Sequence, residues 1–362
     1  MLAQNRPHSL TNYHDFWITR PLKTTVRTHL SSMPSLKSVA VLIALVAIYC
    51  NWPQPPLSDR LQKWKSSGKN FKFKDFNIFY KDSLGQGQSA ANRVVLILHG
   101  FPSSTFDWYK MWDGLASHFG RVIAPDFIGF GLSDKPKGHS YTMFEQADIV
   151  ESLLAKLGVQ QVHILAHDMG DTVAQELIAR QNALIKSKKK SSLKILSVCL
   201  TNGGILPETH QPRFMQKLML NPWIAPIGTR VTNRLIFRKA FGEVFGERTQ
   251  PTMDEFEDHW ALMRWNDGNL IAHDQIQYLP QRYANRDKWV GALQETKIPL
   301  HLIYGPADPI NPPNTFLKRY KMLMPNSGVT ELSDHISHYP QLEDPDSVFQ
   351  AYVGFMHSLK IN

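Results

Sequence analysis

Three side chains stand where their neighbours suggest chemistry rather than surface charge: Asp168, Asp308 and His338. Asp168 lies in Val162-His163-Ile164-Leu165-Ala166-His167-Asp168-Met169-Gly170-Asp171, an apolar run that breaks into a small-x-Asp-x-Gly turn and then a helical pattern. A sharp strand-to-helix turn exposes its central side chain at the top of a sheet and needs small neighbours, here Ala166 and Gly170. The helix start beneath favours an ionised Asp168, while Asp171, one turn on, pushes the other way as a like charge. A plain helix cap fits the same residues, so this stretch alone leaves two readings open. Asp308 closes Gly305-Pro306-Ala307-Asp308, and His338 opens His338-Tyr339-Pro340-Gln341-Leu342-Glu343-Asp344-Pro345. Together the three offer nucleophile, acid and histidine. A carboxylate nucleophile suits displacement at saturated carbon, giving an alkyl ester; on an acyl substrate it would give a costlier anhydride. Neutral His338 would then take a proton from the water that attacks the ester, with Asp308 orienting the ring. Backbone N–H groups of Phe101, in His99-Gly100-Phe101-Pro102, and of Met169 would converge on the developing oxyanion.

Neighbouring candidates read differently. His335 competes with His338, but the spacing to Gln341–Pro345 favours His338 and leaves His335 a loop histidine. Asp126, within D-x-x-G-x-G-x-S, reads as a turn-fixing residue. His163, inside an apolar run, reads as a structural histidine. No Cys/His spacing suits a metal, and no cofactor is implied.

The elements that must position these residues follow from periodicity. Phe71–Tyr80 alternates as a strand or hairpin, and short apolar runs at Val94–Leu98, Val122–Ala124, Val162–Ala166, Ile195–Leu200 and Leu300–Tyr304 read as strands buried on both faces. Helix-length stretches such as Met143–Leu157 and Asp171–Arg180 separate several of them, which indicates a parallel sheet. A crossover needs about a dozen residues, yet about 100 separate Leu200 from Leu300. The excess, 207–286, is expected to form a helical lid inserted between two late strands, above a core of 69–206 and 287–362, with Met253–Arg264 as one of its helices. An extra packing domain is the alternative.

Charge and hydropathy mark the other end of the chain. The net charge is +9, but residues 1–70 hold nine Lys/Arg against Asp15 and Asp59, and Lys186, Lys188, Lys189, Lys190 and Lys194 add five more. The remainder is mildly acidic, which excludes a nucleic-acid groove in the body of the protein. The five lysines read as a solvated loop. Residues 39–50 are twelve consecutive apolar residues, so 36–52 is expected to be a signal anchor or transmembrane segment, after a basic segment 1–35 and before a Pro-containing linker 53–68. A removed targeting segment and a buried helix are the other readings. Cys50 and Cys199 both sit in apolar runs, which excludes a disulfide scaffold.

The motifs HGFP, Asp126-Phe127-Ile128-Gly129-Phe130-Gly131-Leu132-Ser133-Asp134-Lys135-Pro136, HDMG, GPAD and HYPQLEDP occur in order across residues 94–345. As a set they resemble the α/β-hydrolase fold, in its epoxide-hydrolase and haloalkane-dehalogenase branch. Asn202-Gly203-Gly204, Pro207-Glu208-Thr209-His210, Asn266–Leu270, Lys288–Leu293 and Asp334–Pro345 resemble the mesoderm-specific transcript family more closely. That resemblance implies a mostly parallel doubly wound sheet and a membrane-associated hydrolase of the endoplasmic reticulum, with a mitochondrial address as the alternative. The expected substrate is a hydrophobic or lipid-like small molecule. Departures bear on that substrate. Haloalkane dehalogenases place Trp after the nucleophile and Asn after the His-Gly, where this chain has Met169 and Phe101, so no halide cradle is expected. Epoxide hydrolases use two lid tyrosines, and the corresponding region offers Tyr278 and Tyr283, both at its far end. Tyr278 is the candidate acid, Trp108 a candidate substrate contact, and Trp223, Trp260 and Trp265 candidate apolar lid residues. A non-catalytic binding protein of the same fold, or an acyl transferase or esterase, are the alternative functions.

Overall fold

A computed structural model describes residues 35–50, 52–85 and 93–359. Eight strands, β1 Lys69–Phe73, β2 Phe76–Leu84, β3 Val94–Leu98, β4 Arg121–Pro125, β5 Gln161–His167, β6 Lys194–Thr201, β7 Leu300–Tyr304 and β8 Gly328–Glu331, form one sheet in the order β1-β2-β4-β3-β5-β6-β7-β8. β2 runs antiparallel to β1 and β4, and the other pairs are parallel. The expected segment 71–80 is a hairpin that turns at Lys74, whose φ is 52°.

The central strands are apolar throughout because both faces are covered. Leu96 and Leu98 of β3, Ile164 and Ala166 of β5, and Val198 and Leu200 of β6 face one core, shared with the helices Met143–Lys156 and Met169–Lys186. Val95, Ile97, Leu165 and Cys199, the alternate positions, face a second core with the helices Tyr109–His118 and Pro345–Ser358. Cys199 is a buried free thiol, as its apolar run suggests. His163 bonds Ser197 Oγ of the neighbouring strand at 2.8 Å, and burial lowers its ring to about 4.

Register determines what meets at the carboxyl edge. Leu98 pairs with Ala166, His167 with Thr201, and Thr201 with Ile303. The loops after β3, β5, β6 and β7 therefore emerge side by side. β3 has β4 on one flank and β5 on the other, so the chain reverses direction there, and a crevice opens at such a switch point.

Between β6 and β7 the chain folds into short helices, including Phe214–Met219, Ala225–Val231, Arg234–Gly242, Met253–Arg264 and Tyr278–Ala284. The helix Arg286–Glu295 then returns alongside Met169–Lys186, where Trp289 Nε1 donates to Glu176 at 2.8 Å and Asn182 Nδ2 to the Ala292 carbonyl at 3.0 Å. Lys188, Lys189 and Lys190 are exposed in the loop before β6, and Lys186 and Lys194, also exposed, end the helix and begin the strand on either side of it.

Two sequence expectations need correction. Residues 53–68 are not a plain linker: Asp59–Ser66 is a helix whose Leu61 and Trp64 enter the second core. Ser58 caps it by accepting the Leu61 N–H at 3.1 Å and bonds Asp258 at 2.6 Å. Residues 36–52 were expected to span a membrane, but the helix there, Leu36–Cys50, has 15 residues. That length rises about 22 Å against a hydrocarbon core of about 30 Å. Among the described residues no helix is long and apolar enough to cross a membrane. Leu36–Cys50 belongs to a compact unit separate from the one that begins at Trp52. Residues 1–34 lie outside the described residues.

Candidate active site

The turn between β5 and the helix Met169–Lys186 places Asp168 at φ 46°, ψ −105°, a strained backbone for a side chain of L configuration. Close packing explains the small neighbours. A Cβ on Gly170 would stand 2.7 Å from the Leu98 carbonyl oxygen, and one on Gly100 would stand 2.9 Å from Asp168 Cβ. Asp168 is buried, and its Oδ2 accepts the Phe101 N–H at 3.0 Å. Met169 opens the helix, so its N–H is among the donors with no intrahelical acceptor. Phe101 is itself held from behind, by the Tyr339 hydroxyl on its carbonyl at 3.0 Å.

His338 and Asp308 arrive from the loops after β8 and β7. His338 Nδ1 bonds Asp308 Oδ2 at 3.0 Å, with both residues buried. Asn202 Nδ2 and Asn311 Nδ2 donate to the same Oδ2 at 3.1 and 3.0 Å, and the Ile310 N–H donates to Oδ1 at 2.8 Å. Burial works against both charges, but the pair prevails. It lifts the His338 ring above its ordinary value and holds the Asp308 carboxyl below its own. The rejected base, His335, is half-exposed beside Asp334. Asp126 fixes its turn by accepting the Thr105 N–H at 2.8 Å and the Leu132 N–H at 2.7 Å.

Sequence reasoning missed Arg282. This fully buried arginine projects from Tyr278–Ala284 onto the turn, donating from Nη2 to the Asp168 carbonyl at 2.9 Å and to Asp168 Oδ1 at 3.2 Å, and from Nε to Thr172 Oγ1 at 2.7 Å. Burial alone would raise the Asp168 carboxyl, but Arg282, then His338 and His167, overcome it and bring the carboxyl to about 2. Asp171 has no such cation in contact. Burial first, then Asp168, pushes its carboxyl well above the ordinary range. The two carboxyls of the turn are thereby pushed in opposite directions, Asp168 down and Asp171 up. Nothing in the sequence set Arg282 apart, since Gln275, Gln277 and Gln281 precede it and Asn285 and Arg286 follow it.

The remaining candidates divide. Tyr278 is buried against Asp168 and Arg282, whose guanidinium lies 4.5 Å from its ring centre, while Tyr283 is exposed. Trp108 does not reach the site: it packs in the second core with Trp64, Phe106 and Trp112. Trp223 is exposed and Trp260 packs on Phe237. A cleft of about 770 Å³, counting its open mouth, runs from Phe101, His338 and Tyr339 out between the lid helices. Met215, Met219, Ile236, Phe237, Phe241 and Met263 make its wall apolar, and none of the four tryptophans lines it. Arg213 and Glu243, 3.6 Å apart, sit on the same cleft. Among the described residues no group of His, Cys, Asp or Glu could hold a metal.

A family model for the alpha/beta hydrolase fold matches residues 93–345. The chain belongs to the α/β-hydrolase fold family. Mesoderm-specific transcript protein of Mus musculus is 51% identical over 87% of this chain and 93% of its own length. A Mycobacterium tuberculosis protein named as a hydrolase, LipZ, is 32% identical over 83% of this chain and 99% of its own. The crystal structure of haloalkane dehalogenase DbeA from Bradyrhizobium elkani superposes with a TM-score of 0.66 at 20% identity, covering 80% of this chain and 97% of that one, and shows a shared fold. Built in this way, this α/β-hydrolase bonds a buried carboxylate to the backbone N–H of Phe101 and pairs a buried His338 with Asp308, and Phe101 and His338 both line the apolar cleft.

Proposed function

We propose that the protein is an epoxide-hydrolase-like enzyme acting on hydrophobic or lipid-like small molecules. The observation that carries this reading is Asp168. It is a buried carboxylate held ionised on a strained turn, with one oxygen on the Phe101 N–H and with a buried His338–Asp308 pair nearby. Asp168 Oδ1 attacks an epoxide carbon, the carbon–oxygen bond breaks, and its electron pair stays on the substrate oxygen, which takes up a proton from solvent. His338 then takes a proton from water, which adds to the ester carbonyl of Asp168. The Phe101 and Met169 N–H groups hold the resulting oxyanion; collapse expels the second hydroxyl with the proton from His338, and the regenerated Asp168 carboxyl gives its own proton back to solvent, releasing the diol. Asp308 stabilises the imidazolium without taking its proton.

Single turnover of 1,2-epoxyhexane in heavy-oxygen water tests the reaction. Label is expected in the Asp168 carboxylate, and His338→Gln is expected to accumulate a covalent adduct on Asp168. Turnover with neither outcome would refute the assignment. The reading includes association with the endoplasmic reticulum membrane, supported by the exposed apolar side chains Leu42, Ile43, Leu45 and Ile48 of Leu36–Cys50. Such a helix can lie in a membrane surface without crossing it. Flotation of the full chain with vesicles, compared with a chain lacking residues 36–50, reports on attachment.

A further inference from the structure

Two buried side chains around Asp168 carry polar atoms with no hydrogen-bond partner among the described residues: Arg282 at Nη1 and His210 at both ring nitrogens. Buried polar atoms are almost always paired, and one left over calls for a water, an ion or a ligand. Here the two are neighbours. Arg282 lies over the Tyr278 ring at 4.5 Å. A Cβ on Gly204 would stand 2.1 Å from Arg282 Nη1 and 3.1 Å from His210 Nδ1, so the missing side chain is what lets the guanidinium and the imidazole approach each other. His210 feels Arg282, Asp168, His338 and Asp308, and its ring is neutral, lowered to about 3 chiefly by burial and then by Arg282. The other nitrogens of Arg282 are committed, Nε to Thr172 and Nη2 to Asp168.

We propose that Arg282 Nη1 and His210 form an oxygen-binding subsite beside the nucleophile, which takes the substrate's epoxide oxygen. The inference rests on the nucleophile reading and deepens it by naming the groups that receive the oxygen. As Asp168 Oδ1 bonds to carbon and the ring carbon–oxygen bond breaks, the alkoxide forms against a fixed cation and a neutral imidazole N–H. Arg282 therefore has two roles. Its Nη2 keeps the carboxylate ionised, and its Nη1 stabilises the charge that leaves carbon. The lid supplies Arg282 and the segment after β6 supplies His210, so the subsite is complete only when both segments are packed on the turn. Its preference is for an apolar chain ending in an uncharged oxygen acceptor rather than for a hydrocarbon.

The test is binding of 1,2-epoxyhexane against 1-hexene, two ligands that differ by one oxygen, to the full chain carrying Asp168→Asn so that no adduct forms. The epoxide is expected to bind at least tenfold more tightly. His210→Gln is the fold-safe probe, because neither nitrogen of His210 bonds the protein; added to Asp168→Asn, it is expected to erase most of that preference. Arg282→Lys, which keeps the charge but displaces the donor, is expected to do the same. Equal binding of the two ligands, or a preference untouched by both changes, would overturn the proposal. The nucleophile reading fails separately: an oxygen preference with no adduct on Asp168 in His338→Gln refutes that reading and leaves the subsite standing.

Discussion

Removing the Arg282 guanidinium should reveal how much of the turn's stability depends on one ion pair. In Arg282→Met the Asp168 carboxylate stays buried but loses the cation that most opposes its burial, while His338 and His167 remain. In the intact protein the carboxyl sits at about 2 against an ordinary 3.8. That shift contributes roughly 2 kcal/mol of stability, present above about pH 4 and lost as pH falls through about 2. Breaking a buried pair leaves an uncompensated charge and costs about 3–5 kcal/mol, or a fall in Tm on the order of 5–10 °C for a domain of this size. The sign with pH follows. In Arg282→Met, burial raises the Asp168 carboxyl above its ordinary value, so the variant takes up a proton at higher pH than the parent. Its deficit is therefore greatest at neutral pH and shrinks toward pH 4, as the buried charge is removed. Urea unfolding of both proteins at pH 7, 6, 5 and 4 measures it, and Asp168→Asn with Arg282→Met closes a double-mutant cycle. A deficit below about 1 kcal/mol at pH 7, or one that does not change with pH, would refute the reasoning.

Two further outcomes follow. Catalysis needs neutral His338, whose ring is raised, so kcat/KM should rise with pH through a midpoint above the ordinary 6.5. Asp308→Asn removes the cause of that rise, so the midpoint should move down and kcat should fall by roughly 10³–10⁴-fold, as loss of a triad acid does; an unmoved midpoint in the pH–rate profile would exclude His338 as the base. Gly170→Ala brings a Cβ to 2.7 Å from the Leu98 carbonyl oxygen and 2.8 Å from that of His99, backbone atoms that cannot step aside. It should cost about 2–3 kcal/mol in a urea titration, and a loss under 0.5 kcal/mol would contradict the packing described for the turn.

Much of the architecture is legible along the chain because it depends on local pattern. β3 and β7 coincide with their apolar runs, and Met253–Arg264 with its amphipathic stretch. β8 was missed, since its Gly-Val-Thr-Glu sits half-exposed at the edge of the sheet and has no run of apolar residues to mark it. Trp108 and Trp64 look alike in sequence to residues that line a cavity; only packing shows that they fill a core. The helix Asp59–Ser66 was hidden by the prolines before it, though its burial is decided by two residues, Leu61 and Trp64.

The order of Asp168, Asp308 and His338, and the small residues that let a strand turn sharply into a helix, are properties of the sequence itself, because they require only neighbours a few positions apart. How firmly the Asp168 carboxyl is held ionised is not. That depends on Arg282, 114 positions after Asp168 and brought to it by the fold. Charge balance in a buried site acts over ångströms in space, and the distance along the chain carries no trace of it. Tertiary structure alone therefore drove the Asp168 carboxyl down and the Asp171 carboxyl up, and brought Arg282 and His210 together beside the nucleophile.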